Sequence, residues 1–89
     1  MFYVEWLESA LDELTRLWTQ ADSATRRTLT AASHEIDTRL ESDPETESES
    51  RPFGRRITFV SPLAVIFRVE ADGETVTVVS IRMFRTRSK

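Results

Sequence analysis

Apolar residues return at two different spacings along this chain, and the change of spacing divides it. Up to about residue 41 most of them recur every three to four positions, as on one side of a helix. From residue 56 they alternate with polar residues, as on one side of a strand. A short run precedes both. Met1–Trp6 has FYVEW at its centre, aromatic and β-branched with period-2 character, and predicts a first strand. Leu7, Leu11, Leu14 and Trp18 then recur at i, i+4, i+7 and i+11. They predict a first helix whose apolar stripe is widened by Ala10 and Leu17. Ser9 followed by Asp12 resembles a capping box for its start.

Thr19–Ser23 is short and polar, and Asp22 or Ser23 can cap a second helix. Leu29, Ala32, Ile36 and Leu40 form that helix's stripe. Ala31 and Ala32 permit close approach, so it is expected to fold back on the first as an αα-hairpin. It must end before Pro44, near Glu41. The stretch SDPETESES that follows (42–50) has no apolar residue and carries Asp43, Glu45, Glu47 and Glu49. It reads as an exposed, mobile acidic loop, with a lead-in reaching residue 55.

Three strands are predicted beyond it. ITFVS is one, Ser61-Pro62 marks a tight connection, LAVIFRVE is the next, ADGE is a turn, and TVTVVSIRMF is the last. In the middle strand Leu63, Val65, Phe67 and Val69 share the face expected to meet the helices. Ala64, Ile66, Arg68 and Glu70 share a half-polar face turned to solvent or a ligand. In the last strand Val79, Ile81 and Met83 are placed on one face, and Ser80, Arg82 and Phe84 on the other. The expected fold is α+β, in the order β-α-α-β-β-β. A helical hairpin packs on one face of a twisted, mainly antiparallel sheet, in a single domain spanning 1–89.

Composition adds constraints. With 89 residues and no cysteine, the chain has no disulfide framework, thiolate nucleophile or cysteine metal site, which fits a reducing cytoplasm. No apolar run approaches the roughly 20 residues needed to span a bilayer, and MFYVEWLESALDE lacks the basic start of a signal peptide. The net charge of -3 conceals an asymmetry. Residues 1–50 set four Arg against twelve Asp and Glu, a balance of -8, and residues 51–89 set eight Lys and Arg against three acids, a balance of +5. That polarity either solvates exposed surface or marks a basic working face on an acidic body.

Most site chemistries find no support. His34 is the single histidine, sits mid-helix and reads as a surface residue, so no metal site is expected. The acidic residues do not suggest two carboxylates held across a cleft. Gly54 and Gly73 are the only glycines, too few for a phosphate-cradling loop, and no cofactor is expected. What remains is Arg51, Arg55, Arg56, Arg68, Arg82, Arg85, Arg87 and Lys89, and arginine matches phosphate in a bidentate fork. Phe53 and Phe84 stand among them, either to stack on bases or to cover the ends of the core. Phe84, which continues a strand, is read as core cover.

The succession WLESALDELTRLW, TAASHEIDTRLESDP, RRITFVSPLAVIFRV and VTVVSIRMFR resembles the RelE/ParE superfamily of type II toxin–antitoxin toxins over essentially the whole chain. Its most telling pieces are Ala32, Ile36, Asp37, Leu40 and Pro44 at the end of the second helix, and the strand pair ITF–PLAVIFRV. The resemblance implies a small toxin neutralised by a cognate antitoxin, as a homodimer or a toxin–antitoxin hetero-oligomer. Its ribonuclease branch, to which the first reading belongs, cuts mRNA on the ribosome without metal. Basic residues on the open face of the sheet steady the scissile phosphate. On this reading Arg56, Arg68, Arg82 and Arg85 are the catalytic candidates, and Arg55, Arg87 and Lys89 contact RNA. The chain departs from that pattern at Thr58 and Ala64, where the ribonucleases carry basic residues. It also lacks the tyrosine or histidine that often follows the last arginine, Tyr3 being the only tyrosine. These departures motivate two alternatives: a ParE-like toxin that poisons DNA gyrase, and a non-catalytic relative acting as a binding module.

Overall fold

A computed structural model of the chain describes residues 1–45 and 48–84. Its elements are β1 (Tyr3–Trp6), α1 (Glu8–Gln20), α2 (Ser23–Ser42), β2 (Glu49–Arg51), a 3-10 turn (Pro52–Gly54), β3 (Arg55–Val60), β4 (Leu63–Val69) and β5 (Thr75–Met83). The strands form one sheet in the order β1-β5-β4-β3-β2. β1 runs parallel to β5 and every other pair is antiparallel. The α+β layout expected from the sequence is present, with one strand more than expected. Residues Glu49–Arg51 of the acidic segment pair with Arg55–Ile57 as an edge strand. Arg56 holds this segment down, donating from Nε to Ser48 Oγ (2.6 Å) and from its terminal nitrogens to Ser50 Oγ and to the carbonyls of Glu45 and Ser48.

The core lies between the helical hairpin and one face of the sheet. Leu29, Ala32, Ile36 and Leu40 of α2 are buried against Val60, Leu63, Val65, Phe67, Val76, Val78 and Ile81. Each large side chain in this set contributes about 1.5–3 kcal/mol by leaving water. Asp22 caps α2, accepting the Thr25 N–H at 2.8 Å. That bond, reinforced by the Thr25 hydroxyl and the nearby Arg26 charge, holds the Asp22 carboxyl below the usual aspartate range. Arg26 in turn closes the C-terminus of α1. It donates to the carbonyls of Trp18 (2.9 Å) and Thr19 (3.0 Å) and lies 4.3 Å from the Trp18 ring centre, where its charge also meets the negative end of the helix dipole. Arg39 bridges α2 to the sheet, reaching Thr58 Oγ1 (3.2 Å) and the Phe59 carbonyl (3.0 Å). Trp6 Nε1 donates to Asp37 and ties β1 to α2.

α1 differs from expectation in two ways. No side chain caps it, so the Ser9–Asp12 box is not used. The chain leaves β1 and turns directly into the helix, with the Leu7 N–H donating to the Val78 carbonyl and the Leu7 carbonyl accepting from Leu11. Its inward face is also rotated. Ala10 is buried, with Leu14 and Leu17 packed beside it, whereas Leu7, Leu11 and Trp18 are exposed, Leu11 at 47% and Trp18 at 43%. Ala10 at the contact lets the helix approach the sheet closely.

β5 also breaks its expected alternation. Phe67 pairs with Val78 and Ile66 with Ser80, so Val79 is a bulge and the core positions become Val76, Val78 and Ile81. β1 ends opposite Val78, and β5 runs on past it. There Glu13 of α1 supplies the missing acceptor: its Oε1 takes the Ile81 N–H at 2.9 Å and the Ser80 hydroxyl at 3.3 Å.

Candidate binding face of the sheet

Strand pairing decides which side chains share the uncovered face. Ser61-Pro62 joins β3 and β4 so that Val60 stands opposite Leu63, Thr58 opposite Val65 and Arg56 opposite Phe67. All of these point to the helix side. Arg56, a catalytic candidate on the sequence reading, is therefore on the opposite side of the sheet from Arg68 and Arg82, and its donors are engaged with Glu45, Ser48 and Ser50. Thr58 is buried and bonded to Arg39. The signal for this was in the sequence. A two-residue connection at 61–62 fixes the pairing, and placing Phe67 in the core carries Arg56 with it.

The uncovered face is built from Arg55, Ile57 and Phe59 of β3, Ala64, Ile66 and Arg68 of β4, and Thr77, Ser80 and Arg82 of β5. Phe84, just past β5, packs edge-on against Phe59 with ring centres 5.2 Å apart, and its N–H donates to the Pro62 carbonyl. Phe59 remains 47% exposed. The face thus has an apolar middle, Ile57, Phe59, Ala64 and Ile66, bordered by arginines.

The arginines of this face differ in their partners. Arg68 Nε donates to Glu70 Oε2 at 2.8 Å, and the same carboxylate oxygen accepts from the buried Thr77 hydroxyl in a short bond. The Thr77 bond first, and the Arg68 guanidinium second, hold the Glu70 carboxyl below the usual glutamate range. Arg68 is therefore ion-paired on this face. Among the described residues Arg55 and Arg82 make no hydrogen bond or ion pair, and both are exposed. Arg85, Arg87 and Lys89 lie outside the described residues.

The groups on this face that can transfer a proton, Glu70 with Tyr3 and Glu5 of β1, lie toward the Thr75 end of β5, away from Arg82. The face's hydroxyls on β5 belong to Thr75, Thr77 and Ser80; Tyr3 and Glu5 of β1 pair with Thr75 and Thr77 and so share their side of the sheet at its far edge, and His34 is on the outside of α2. A general acid or base must sit within hydrogen-bond reach of the reacting group, and arginine stays protonated at any physiological pH. No group of His, Cys, Asp or Glu among the described residues could hold a metal ion. No helix among them is long and apolar enough to cross a membrane.

A helical hairpin laid on one face of a five-stranded sheet, with a basic and apolar opposite face, is a small α+β domain. Solved structures give that class a more specific frame. The chain aligns with the toxin–antitoxin complex RelBE2 of Mycobacterium tuberculosis at a TM-score of 0.74 and 15% identity, covering 92% of this chain and 90% of that one. It aligns with the chromosomal ParDE system of P. aeruginosa at a TM-score of 0.73 and 16% identity, covering 96% and 98%. The isolated E. coli RelE toxin gives 0.64 and 19%, covering 98% and 88%. No family model matches the sequence, and no curated protein matches it. The chain has the fold of the RelE/ParE toxins.

Proposed function

We propose that this chain is the toxin of a type II toxin–antitoxin module, kept inactive by a cognate antitoxin. The observation that carries the proposal is the end-to-end fold match to RelE and ParE proteins solved as toxin–antitoxin systems. The exposed stripe of Leu7, Leu11 and Trp18 supports an antitoxin partner, as does the hollow of about 180 Å³ between α1 and α2, lined by Leu14, Trp18, Leu29 and Ser33. An amphipathic helix would seat its apolar face there.

Of the two modes of action the fold brings to mind, the sheet face favours inhibition by binding. Among the described residues Arg55 and Arg82 make no hydrogen bond or ion pair and stand beside an apolar middle, and the strands that carry them hold no histidine or tyrosine. DNA gyrase is the target this reading names. The second reading, ribosome-dependent mRNA cleavage, is favoured by Arg68 and Arg82 sharing one face. Induced expression in a bacterial host, with and without the neighbouring open reading frame, tests the module. Growth arrest relieved by the neighbour is expected, and normal growth at high expression sinks the proposal. Supercoiling by purified gyrase and mapping of mRNA 5′ ends then separate the modes. Trapped cleaved DNA supports the first, and new cuts in translated messages support the second.

A further inference from the structure

The β2–β3 hairpin carries features that the fold does not use. Phe53 at its tip is 93% exposed and touches no core residue. It also adopts φ 66°, ψ 32°, the left-handed conformation that side chains other than glycine rarely take. Just below the tip, Arg51 and Arg55 stand directly opposite each other across the strands. Like charges in that position repel, and of the two, among the described residues, only Arg51 has a carboxylate partner, Glu49 at 3.4 Å. A hollow of about 150 Å³ lies at the hairpin base, lined by Arg51, Arg55 and Arg56 with Ser50, Gly54 and Glu45. Arg56 is fixed in place there by its four bonds to the 45–50 segment.

An exposed aromatic ring, a left-handed backbone beneath it and two opposed cations all work against the isolated fold. The ring and the cations become favourable against one kind of ligand. A phosphate beside Arg51 and Arg55 turns repulsion into shared attraction, and a flat base gives Phe53 a partner of its own shape. Bases presented for stacking exist in single strands, because in a duplex they are already stacked.

We infer that the β2–β3 hairpin is a contact site for single-stranded nucleic acid, in which Phe53 stacks on a base and Arg51 and Arg55 hold a neighbouring phosphate. A protein surface would need apolar neighbours around Phe53 to bury it, and the residues flanking it are Arg51, Pro52, Gly54 and Arg55. The inference shares Arg55 with the open face used above, and Phe53, which the mode of toxicity does not use, lets it be tested apart from that reading.

The test uses the full chain and a labelled 12-nucleotide RNA, the DNA of the same sequence, and the duplex of that DNA, with binding read by fluorescence anisotropy over a range of salt. Single strands are expected to bind more tightly than the duplex, and a preference for RNA or for DNA identifies the natural source of the strand. Phe53→Gly suits the existing backbone and removes a side chain that buries nothing, so its thermal midpoint is expected to stay near that of the parent. Its affinity is expected to fall about tenfold or more, the loss typical of one stacked base. Phe53→Tyr is expected to bind as the parent does. Arg51→Gln with Arg55→Gln is expected to flatten the salt dependence by about 1.4 in log–log slope, two phosphate contacts' worth on a single strand. The inference is overturned if no single strand binds, if the duplex binds as tightly, if Phe53→Gly binds like the parent, or if its loss of binding merely follows a loss of folding.

Discussion

The two faces of the sheet use arginine in opposite ways. On the helix side Arg39 and Arg56 direct their donors at carbonyls and hydroxyls of Phe59, Thr58, Glu45, Ser48 and Ser50, and so fix α2 and the acidic segment to β3. On the open side Arg55 and Arg82 are unpaired among the described residues, and Arg68 meets one carboxylate. An inventory of basic residues counts these alike. Strand register separates them: among the described residues, Arg56 helps build the fold, and Arg55, Arg68 and Arg82 stand on the open side.

The largest test of that division concerns neighbours in the chain. Phe67 is fully buried on the helix side, and Ile66, one residue earlier, lies half-buried on the open side. Phe67→Ala is expected to cost about 3–5 kcal/mol. That approaches the whole stability of a domain this small, about 5 kcal/mol, and urea melts would show little folded protein. Ile66→Ala is expected to cost about 1 kcal/mol, and equal losses in the two variants would mean that the open face is not open.

Arg56→Ala comes next. It is expected to cost about 1–2 kcal/mol and to strip hydrogen-exchange protection from Glu49–Arg51 while leaving β4 and β5 protected. Global loss of protection would show that the clamp does more than hold β2. Arg82→Ala is smaller still in stability, within about 0.5 kcal/mol, yet it is expected to relieve growth arrest where Arg56→Ala with restored folding does not. Arrest unchanged by Arg82→Ala would remove the open face from the toxic action.

The smallest effect lies in acid. The Glu70 carboxyl is held below its unfolded value, so its stabilising contribution is complete above that unfolded value and is lost as pH falls through the lowered folded one. Glu70→Gln is therefore expected to be less stable than the parent at neutral pH and to converge with it in acid. A constant gap across pH would show that the Thr77 bond, and not the charge beside Arg68, carries the effect.

How much of this was legible in the sequence depended on how many patterns a segment could support. α2 offered one stripe, Leu29, Ala32, Ile36 and Leu40, and all four are buried. The middle strand offered strict alternation, and Leu63, Val65 and Phe67 are buried as expected. α1 with its N-cap Leu7 carries Ala10, Leu11, Leu14, Leu17 and Trp18 as well, an apolar arc too wide to show which part faces inward. Close approach to the sheet selected the side with Ala10. In β5 the run Val76, Thr77, Val78, Val79 has no period to read, so the bulge at Val79 left no trace in the pattern. β2 was hidden because its three residues, Glu49, Ser50 and Arg51, are all exposed and polar, held by pairing and by Arg56 instead of by burial. The candidate site was legible in its residue types and on its open side at Arg55, Arg68 and Arg82. Arg56 needed the register as well.

Glu13 shows how a single carboxylate can stand in for a strand. β5 outruns β1, and an uncovered strand edge is a template on which strands of other copies can pair. By accepting the Ile81 N–H and the Ser80 hydroxyl, Glu13 occupies the position where an intruding backbone would bind. The first helix therefore does more than cover the core. It sets where the sheet stops growing, and so guards the solubility of a chain with few residues to spare for that task.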